Sequence, residues 1–319
     1  MNKIYQLKIV KAFLQLIRWP NLLFIFSTQA MFEYCIVMPL FVDAGINNAL
    51  NISSFLLLSF SLVCIAAGGY VINDYFDLNI DLVNKPKRLV VDKTISRRWV
   101  IFWHFIFSIV GIALGFYIDK STPTSFIGIF NVLSVLLLFV YSASLKKKFL
   151  LGNVLISLLT AWSILILWWA EQHYFFAFPP IGNLDTHKLF RFTFLYAGFA
   201  FIISLIREVI KDMEDIDGDR KYGCKTMPII WGINSTKVFT LVWTIVLTAV
   251  LLLLQLYVLL NGWWITALYG FICITLPLLQ VIRLLVKAQN SKNFHQLSTL
   301  VKIIMFTGIV SMLFFRHPM

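Results

Sequence analysis

Nine apolar stretches, each long enough to cross a lipid bilayer, follow one another along this 319-residue chain. They cover roughly residues 20–42, 51–72, 99–118, 123–142, 149–170, 190–210, 238–260, 263–286 and 296–315. A helix of about 20 residues spans a hydrocarbon core of about 30 Å, and backbone polar groups in lipid must pair within their own segment. Because the apolar residues are continuous rather than alternating, we predict helices and not a β-barrel. The expected fold is an all-α polytopic membrane protein with nine transmembrane helices in a single membrane-embedded domain, residues 1–319.

The basic residues predict an orientation for these helices. Most of the 27 Lys and Arg residues lie before the first stretch and in every second loop after it. Positively charged loops stay in the cytoplasm, so we expect a cytoplasmic N-terminus and a multi-pass protein of the inner (plasma) membrane. Loops that face anionic lipid account for the net charge of +12 without a nucleic-acid partner. Residues 1–17 have an amphipathic pattern and predict a short helix on the membrane surface.

Ten of the 15 acidic residues lie in two segments that each follow an apolar stretch of the same orientation. The first cluster contains Asn73, Asp74, Asp77 and Asp81, and the second contains Asp212, Asp215 and Asp219. The three aspartates of the first cluster have the same offsets as those of the second. On a helix, residues three or four apart share one face. The repeated pattern suggests an ancient duplication, with halves at roughly 20–150 and 151–286.

Carboxylates three or four residues apart on a helix repel one another, so both clusters predict a bound cation. Oxygen ligands without nearby His or Cys favour a hard ion, Mg²⁺ rather than zinc. Mg²⁺ also binds phosphate oxygens, and an isoprenoid diphosphate would place its tail between membrane helices and its head at the cytoplasmic face. The residues therefore predict a Mg²⁺ site for a prenyl diphosphate on the cytoplasmic side.

The motifs resemble those of a known family. NDYFDLNIDLVNKPKR resembles the first N-D-x-x-D-x-x-x-D signature of the UbiA superfamily of intramembrane prenyltransferases, and KDMEDIDGDRKYGCKTMPI resembles its second aspartate signature. RWPN, at the start of the first stretch, and YSASLKKKFLLGN, between the fourth and fifth, agree with it. The resemblance covers nearly the whole chain. It implies a UbiA-like helical bundle and Mg²⁺-dependent transfer of a prenyl group from a diphosphate to an acceptor.

The resemblance also implies roles for individual residues. The implied metal ligands are Asn73, Asp74, Asp77, Asp81, Asp212, Asp215 and Asp219. The residues expected to act in catalysis are Asp77, Asp81, Asp215, Asp219 and Lys146. Those expected to contact substrate are Arg18, Asn21, Asn73, Lys85, Arg88, Tyr141 and Lys211. Lys146 is the leading candidate for the diphosphate, and Tyr141 is a candidate to face a carbocation. Because Lys211 stands where Asn73 stands in the first signature, we favour Asp215 and Asp219 over Asp212.

The acceptor is less constrained than the donor. The second signature is most similar to the branch with geranylgeranylglyceryl phosphate geranylgeranyltransferases and chlorophyll synthases, which implies a geranylgeranyl diphosphate donor and a hydroxyl acceptor. An aromatic acceptor such as 4-hydroxybenzoate, used in quinone synthesis, is the alternative. A divalent-cation transporter is a non-enzymatic alternative, although its carboxylates should lie at mid-membrane. A CDP-alcohol phosphotransferase would need a D-G-x-x-A-R core, which the sequence lacks.

Polar residues inside the apolar stretches are further candidates, because such groups are costly in hydrocarbon. They are Gln29, Glu33, His104, Asn131 and Lys302. Gln29 is placed to contact an acceptor, and for the others we expect hydrogen bonds between helices. The four cysteines do not have the spacing of a zinc or redox pair.

Overall fold

The computed structural model describes residues 3–84, 86, 89–175 and 184–315, and its regular structure there is helical. The first seven helices are α1 (Lys3–Leu16), α2 (Trp19–Asp43), α3 (Ile52–Asn84), α4 (Arg97–Ser121), α5 (Ile127–Ala143), α6 (Leu151–Ala170) and α7 (Gln172–Phe175). The remaining six are α8 (Thr186–Glu214), α9 (Ile216–Lys221), α10 (Met227–Ile230), α11 (Gly232–Leu260), α12 (Trp264–Lys287) and α13 (Ser291–Phe315). Both α2 and α12 contain one π-helical segment, and a 3₁₀ segment ends α13.

The helices account for the nine predicted apolar stretches. Within the described residues, eight helices have the length and hydropathy needed to cross a membrane. The stretch at 123–142 forms α5, a shorter apolar helix of 17 residues. The all-α, multi-pass architecture is therefore confirmed. The count of nine crossings and the cytoplasmic N-terminus stay predictions.

The chain divides into two compact units. The first contains residues 1–30, 41–146 and 166–186, and the second contains residues 31–40, 147–165 and 187–319. The division falls close to the predicted boundary at 150/151. However, a segment of α2 belongs to the second unit and the end of α6 belongs to the first. The proposed duplication stays a prediction.

In the first unit, α3, α4 and α5 pack against one another. Buried polar groups cross between them: Asn131 Nδ2 donates to Ser61 Oγ at 2.8 Å and to the Gly111 carbonyl at 2.9 Å. His104 Nδ1 lies 3.0 Å from the Gly68 carbonyl. Interhelical hydrogen bonds satisfy groups that lipid would leave unpaired. The predicted role of Asn131 and His104 in helix–helix bonding is confirmed.

The first acidic cluster lies on the C-terminal part of α3, beyond the predicted apolar stretch. At 33 residues, α3 is about 50 Å long, which exceeds a hydrocarbon core of about 30 Å. Its last turns stay helical because Leu78 packs with Leu16 of α1 and with Val90 and Val91 of the following loop. This small core holds the acidic segment of α3 against the α1 helix.

In the second unit, α8 forms the centre of a separate core. Ile203, Ile206 and Ile210 of α8 pack in a cluster with Leu278 of α12 and Val301 of α13. The spacing of the three isoleucines, at three and four residues, places them on one face of the helix. This face fixes α8 against α12 and α13, and therefore positions the polar residues at its C-terminal end.

Candidate active site

An amide, a carboxylate and an ammonium group meet at the first acidic cluster. Asn73 Nδ2 donates to Asp77 Oδ2 at 2.7 Å, one turn apart on α3. Lys146, in the 3₁₀ turn after α5, donates from Nζ to Asn73 Oδ1 at 3.2 Å and forms an ion pair with Asp77 Oδ1. The side chains of Lys146 and Asp77 are only 10% and 17% exposed. The fold therefore brings three predicted site residues together.

A second ion pair lies beside the first. Arg18 Nη2 contacts Asp74 Oδ1 at 2.7 Å, and its guanidinium carbon lies 5.1 Å from the centre of the Tyr70 ring. Burial opposes the charge of Arg18, but Asp74, Tyr70 and Asp77 outweigh it, so the pKa of Arg18 is raised. The Arg18 backbone is left-handed, with φ of 52°, which is uncommon for a residue other than glycine. This turn between α1 and α2 aims the guanidinium at α3.

Two of the three carboxylates of the first cluster, those of Asp74 and Asp77, are thus compensated by basic side chains. Asp74 faces Arg18 and Asp77 faces Lys146, so the repulsion expected between them is offset even without a metal. Tyr70 was not among the predicted residues, although it precedes Asp74 by one helical turn. The spacing of one helical turn between the aromatic residue Tyr70 and the acidic residue Asp74 was the sequence signal that could have identified it.

Three more of the predicted site residues lie on helices of the first unit. Asn21 on α2, Asp81 on α3 and Tyr141 on α5 are half-buried. Lys85 and Arg88, expected to contact the diphosphate, lie outside the described residues.

The second acidic cluster does not repeat the backbone of the first. Helix α8 ends at Glu214, and α9 begins at Ile216. Asp212 therefore lies on α8, Asp215 between the two helices and Asp219 on α9. The expectation that equal spacing gives equal helical faces is wrong here. Short polar residues and a glycine, in the sequence Asp-Ile-Asp-Gly-Asp, compete with helical hydrogen bonding and favour a turn.

Each polar residue near the end of α8 has a defined contact. Asn153 Nδ2 of α6 donates to Asp212 Oδ2 at 2.9 Å. Glu208 accepts from Arg207 Nη1 at 3.0 Å and from Lys211 Nζ at 3.1 Å. Lys211, predicted to contact substrate, is thus held by a carboxylate three residues earlier on its own helix. Asn153 and Glu208 were not predicted as site residues, although a Glu three residues before a Lys is a recognised helical pairing signal.

The donor atoms of the first cluster suit a hard cation. Asn73 Oδ1 and Asp77 Oδ1 both contact the ammonium group of Lys146, so two oxygen atoms face the same position of positive charge. Over the described ranges, no group of three or more His, Cys, Asp and Glu side chains is arranged to hold a metal. Mg²⁺ keeps several waters and binds through one or two carboxylates and substrate phosphates. The residues present fit such an ion.

Comparison with known proteins agrees with the motifs. The model of the UbiA prenyltransferase family matches residues 35–307. Digeranylgeranylglyceryl phosphate synthase of Methanosphaera stadtmanae is 30% identical over 250 residues, which are 78% of this chain and 83% of the relative. The enzyme of the same name from Korarchaeum cryptofilum is 31% identical over 250 residues, 77% and 79% of the two chains.

Solved structures share the fold. A structure of a digeranylgeranylglyceryl phosphate synthase aligns over 96% of this chain and 99% of its own, with a TM-score of 0.60 and 23% identity. A UbiA homologue from Archaeoglobus fulgidus, solved with GPP and Mg²⁺, aligns over 94% and 99%, with a TM-score of 0.55 and 16% identity. The family model covers most of the sequence and both aspartate signatures. The chain therefore belongs to the UbiA prenyltransferase family of multi-pass membrane enzymes.

Proposed function

We propose that this enzyme transfers a geranylgeranyl group from its diphosphate to the free hydroxyl of a geranylgeranylglyceryl phosphate, with release of diphosphate. One observation carries this choice of acceptor. Relatives that are 30% and 31% identical, and of which the chain covers about four fifths, are named digeranylgeranylglyceryl phosphate synthase. The reaction breaks the bond between the allylic carbon and the diphosphate oxygen. It forms an ether bond to the glyceryl oxygen, whose proton passes to the released diphosphate or to water.

Residues of the first cluster bind the diphosphate end of the donor. Asn73 and Asp77 supply oxygen ligands for Mg²⁺, with Asp81 one turn further along α3. When bound, Mg²⁺ neutralises phosphate charge and makes the diphosphate a better leaving group. Lys146 donates to both Asn73 and Asp77, and from this position its ammonium group would also donate to a phosphate oxygen of the bound diphosphate.

Arg18 and Tyr70 position this cluster. The ion pair between Arg18 and Asp74 offsets the negative charge of the carboxylate next to Asn73 and holds that side chain in place beside Asp77. Asn21, one turn after Arg18, and Tyr141 on α5 are the proposed contacts of the reacting carbon. A ring beside a developing carbocation stabilises the positive charge through its π face.

The second cluster supplies the remaining acidic ligands in this proposal. Asp215 lies at the break between α8 and α9, and Asp219 lies after it. Their side chains therefore do not have to follow one face of a single continuous helix. Asp212 is held by Asn153, which orients its carboxylate. Lys85 and Arg88 complete the proposed phosphate contacts. The basic loops around both clusters support an active site on the cytoplasmic side of the plasma membrane.

Product analysis tests the function. Purified protein is incubated with Mg²⁺, labelled geranylgeranyl diphosphate and either geranylgeranylglyceryl phosphate or 4-hydroxybenzoate. We expect a diether phosphate and an equimolar amount of diphosphate with the first acceptor, and no product when a chelator removes Mg²⁺. If the only product is prenylated 4-hydroxybenzoate, the protein is an aromatic prenyltransferase of the kind used in quinone synthesis, and the proposed acceptor is wrong. Metal flux into liposomes without any turnover would instead support a cation transporter.

A further inference from the structure

Helix α1 exposes an apolar strip beside a basic one. Leu7, Val10 and Leu14 are 64%, 56% and 40% exposed, so the described part of the chain leaves this strip largely uncovered. At about 100° per residue, these three side chains lie within about 60° of one another around the helix axis. Lys8 and Lys11 are also exposed and occupy the adjoining ~100° of the surface. The outer surface of α1 is therefore divided lengthwise into an apolar half and a basic half.

The opposite side of α1 is fixed to the protein. Leu16 is buried in the small core that also contains Leu78 of α3 and Val100 of α4. The ring centroids of Phe13 on α1 and Trp103 on α4 lie 4.9 Å apart. These contacts determine which side of α1 faces outward, so the apolar half must be covered by something other than its own unit.

The bilayer surface is the neighbour that the position of α1 provides. Only Ile17 and Arg18 separate α1 from α2, and α2 has the length and hydropathy of a membrane span. Trp19 in the first turn of α2 and Trp99 in the first turn of α4 are both exposed. Tryptophans at the ends of spanning helices are typical of the membrane–water interface. Because α1 packs against the start of α4, it lies at this interface.

The connection from α1 to the donor site is short and hydrogen-bonded. The Arg18 amide donates to the Gln15 carbonyl at 3.1 Å, and the Asn21 amide donates to the Arg18 carbonyl at 2.8 Å. The left-handed backbone at Arg18 occupies a small allowed region, which leaves little freedom between α1 and α2. A displacement of α1 would therefore move the guanidinium of Arg18 away from Asp74.

We propose that α1 binds the headgroups of anionic phospholipid, and that this contact holds the ion pair between Arg18 and Asp74 in place. Lys8 and Lys11 supply positive charge for the lipid phosphates, while the apolar half enters the boundary with the acyl chains. Each lysine near an anionic leaflet contributes about a 5-fold preference over a neutral one, so the two together should contribute ~30-fold. The lipid contact does not depend on the proposed function, but its consequence for turnover rests on it.

Hydrogen exchange of the full chain in vesicles tests the lipid contact. The vesicles contain phosphatidylcholine alone or phosphatidylcholine with an equal amount of phosphatidylglycerol. In wild type, we expect the amides of α1, and those of Arg18 and Asn21, to exchange on the order of 30-fold more slowly in the anionic vesicles. Salt at 1 M should remove this difference, because the Debye length is then only about 3 Å.

Variants of α1 separate the basic half from the apolar half. The double variant Lys8→Gln, Lys11→Gln should exchange at nearly the same rate in both kinds of vesicle. Leu7→Gln should speed exchange in both, because it weakens a contact that does not depend on lipid charge. The matched control Lys287→Gln, Lys292→Gln removes two exposed lysines from α12 and α13, and should keep the wild-type difference.

Four results would overturn the proposal. Wild type could exchange at the same rate in both kinds of vesicle, or the two double variants could lose the difference equally, which would indicate surface charge in general. Exchange could slow with the number of protein copies per vesicle rather than with phosphatidylglycerol, in which case a second copy covers α1. Finally, α1 could be protected while exchange at Arg18 and Asn21 stays unchanged, which would remove the link to the ion pair.

Diphosphate release distinguishes this proposal from the proposed function. Wild type should turn over faster in anionic vesicles by up to ~30-fold, because only the fraction with α1 bound is competent. The variant Lys8→Gln, Lys11→Gln should have the phosphatidylcholine rate in both. If wild type releases no diphosphate in either vesicle, the proposed function fails while the exchange measurement still decides on the lipid contact. A turnover rate that does not follow the exchange of α1 would overturn the role of this contact in the donor site.

Discussion

Replacing Lys146 by methionine should make the stability of the protein depend strongly on Mg²⁺. In the absence of metal, Lys146 is the cation that contacts Asp77, and both side chains are largely buried. Removing one partner of a fully buried ion pair costs about 3–5 kcal/mol. Asp77 keeps its hydrogen bond from Asn73 and some exposure to solvent, so we expect a loss of about 2 kcal/mol, below that range.

Mg²⁺ should reverse this loss, because it supplies the positive charge that the substitution removes. Saturation at about 100 times the dissociation constant stabilises a folded protein by about 2.7 kcal/mol. In wild type the ion must displace the ammonium of Lys146, so its stabilising effect should be smaller. The free energy of unfolding is measured in detergent, with chelator and with saturating Mg²⁺, for wild type, Lys146→Met and the control Lys148→Met, whose side chain is exposed.

Equal Mg²⁺-dependent stabilisation of wild type and Lys146→Met would refute the reasoning, because the ammonium and the metal would then not share the same oxygens. Lys148→Met should match wild type in both conditions. The catalytic rate of Lys146→Met should fall even at saturating Mg²⁺, since the diphosphate loses a hydrogen-bond donor.

Two further predictions concern stability away from the acidic clusters. Burial raises the pKa of Glu171 to about 7, although its carboxylate accepts hydrogen bonds from the backbone at 49–50. Since the folded pKa lies above the ordinary value of 4.5, the folded state binds the proton more tightly. The free energy of unfolding should therefore fall as pH rises from about 4.5 to 7. Glu171→Gln should remove that slope, and identical pH profiles in denaturant unfolding would contradict the assignment. Gly115→Ala would place a Cβ in collision with Asn131 Nδ2 and 2.9 Å from the Gly128 Cα, and should cost about 1–3 kcal/mol in the same assay. The control Gly198→Ala meets nothing within 4 Å and should be neutral or stabilising by up to about 1 kcal/mol; equal losses in the two variants would argue against close packing at Gly115.

The helical membrane fold could be predicted because the need to pair backbone polar groups in lipid acts on each apolar stretch separately. Each apolar stretch must form its own hydrogen bonds in lipid, so its identity as a helix does not depend on its neighbours. The contact between Asn73 and Asp77 could also be predicted from local sequence, because the two residues are one turn apart on α3. The helix there continues to Asn84, so the spacing alone was sufficient.

Contacts that depend on tertiary packing were not predictable in the same way. The ion pair between Arg18 and Asp74 joins residues 56 positions apart, and it requires the left-handed turn before α2. The break at Asp215 also went against the repeated spacing, because turn-forming side chains competed with the helix. The contact between His295 and Glu214 shows the same limit, since it joins residues 81 positions apart on two different helices.

The most direct test of the account measures Mg²⁺-dependent diphosphate release by Asp77→Asn and Asp215→Asn. Both variants keep the size of the side chain and remove a charge assigned to the metal. We predict that each loses activity by on the order of 100-fold or more. The Tm of Asp215→Asn without Mg²⁺ should stay within a few degrees of wild type, whereas Asp77→Asn should also lose some stability because it removes the ion pair with Lys146. Asp217→Asn, in the same acidic segment but exposed, should keep wild-type activity. Full activity of Asp77→Asn or Asp215→Asn at limiting Mg²⁺ would contradict the assignment of the aspartates to the metal and the diphosphate.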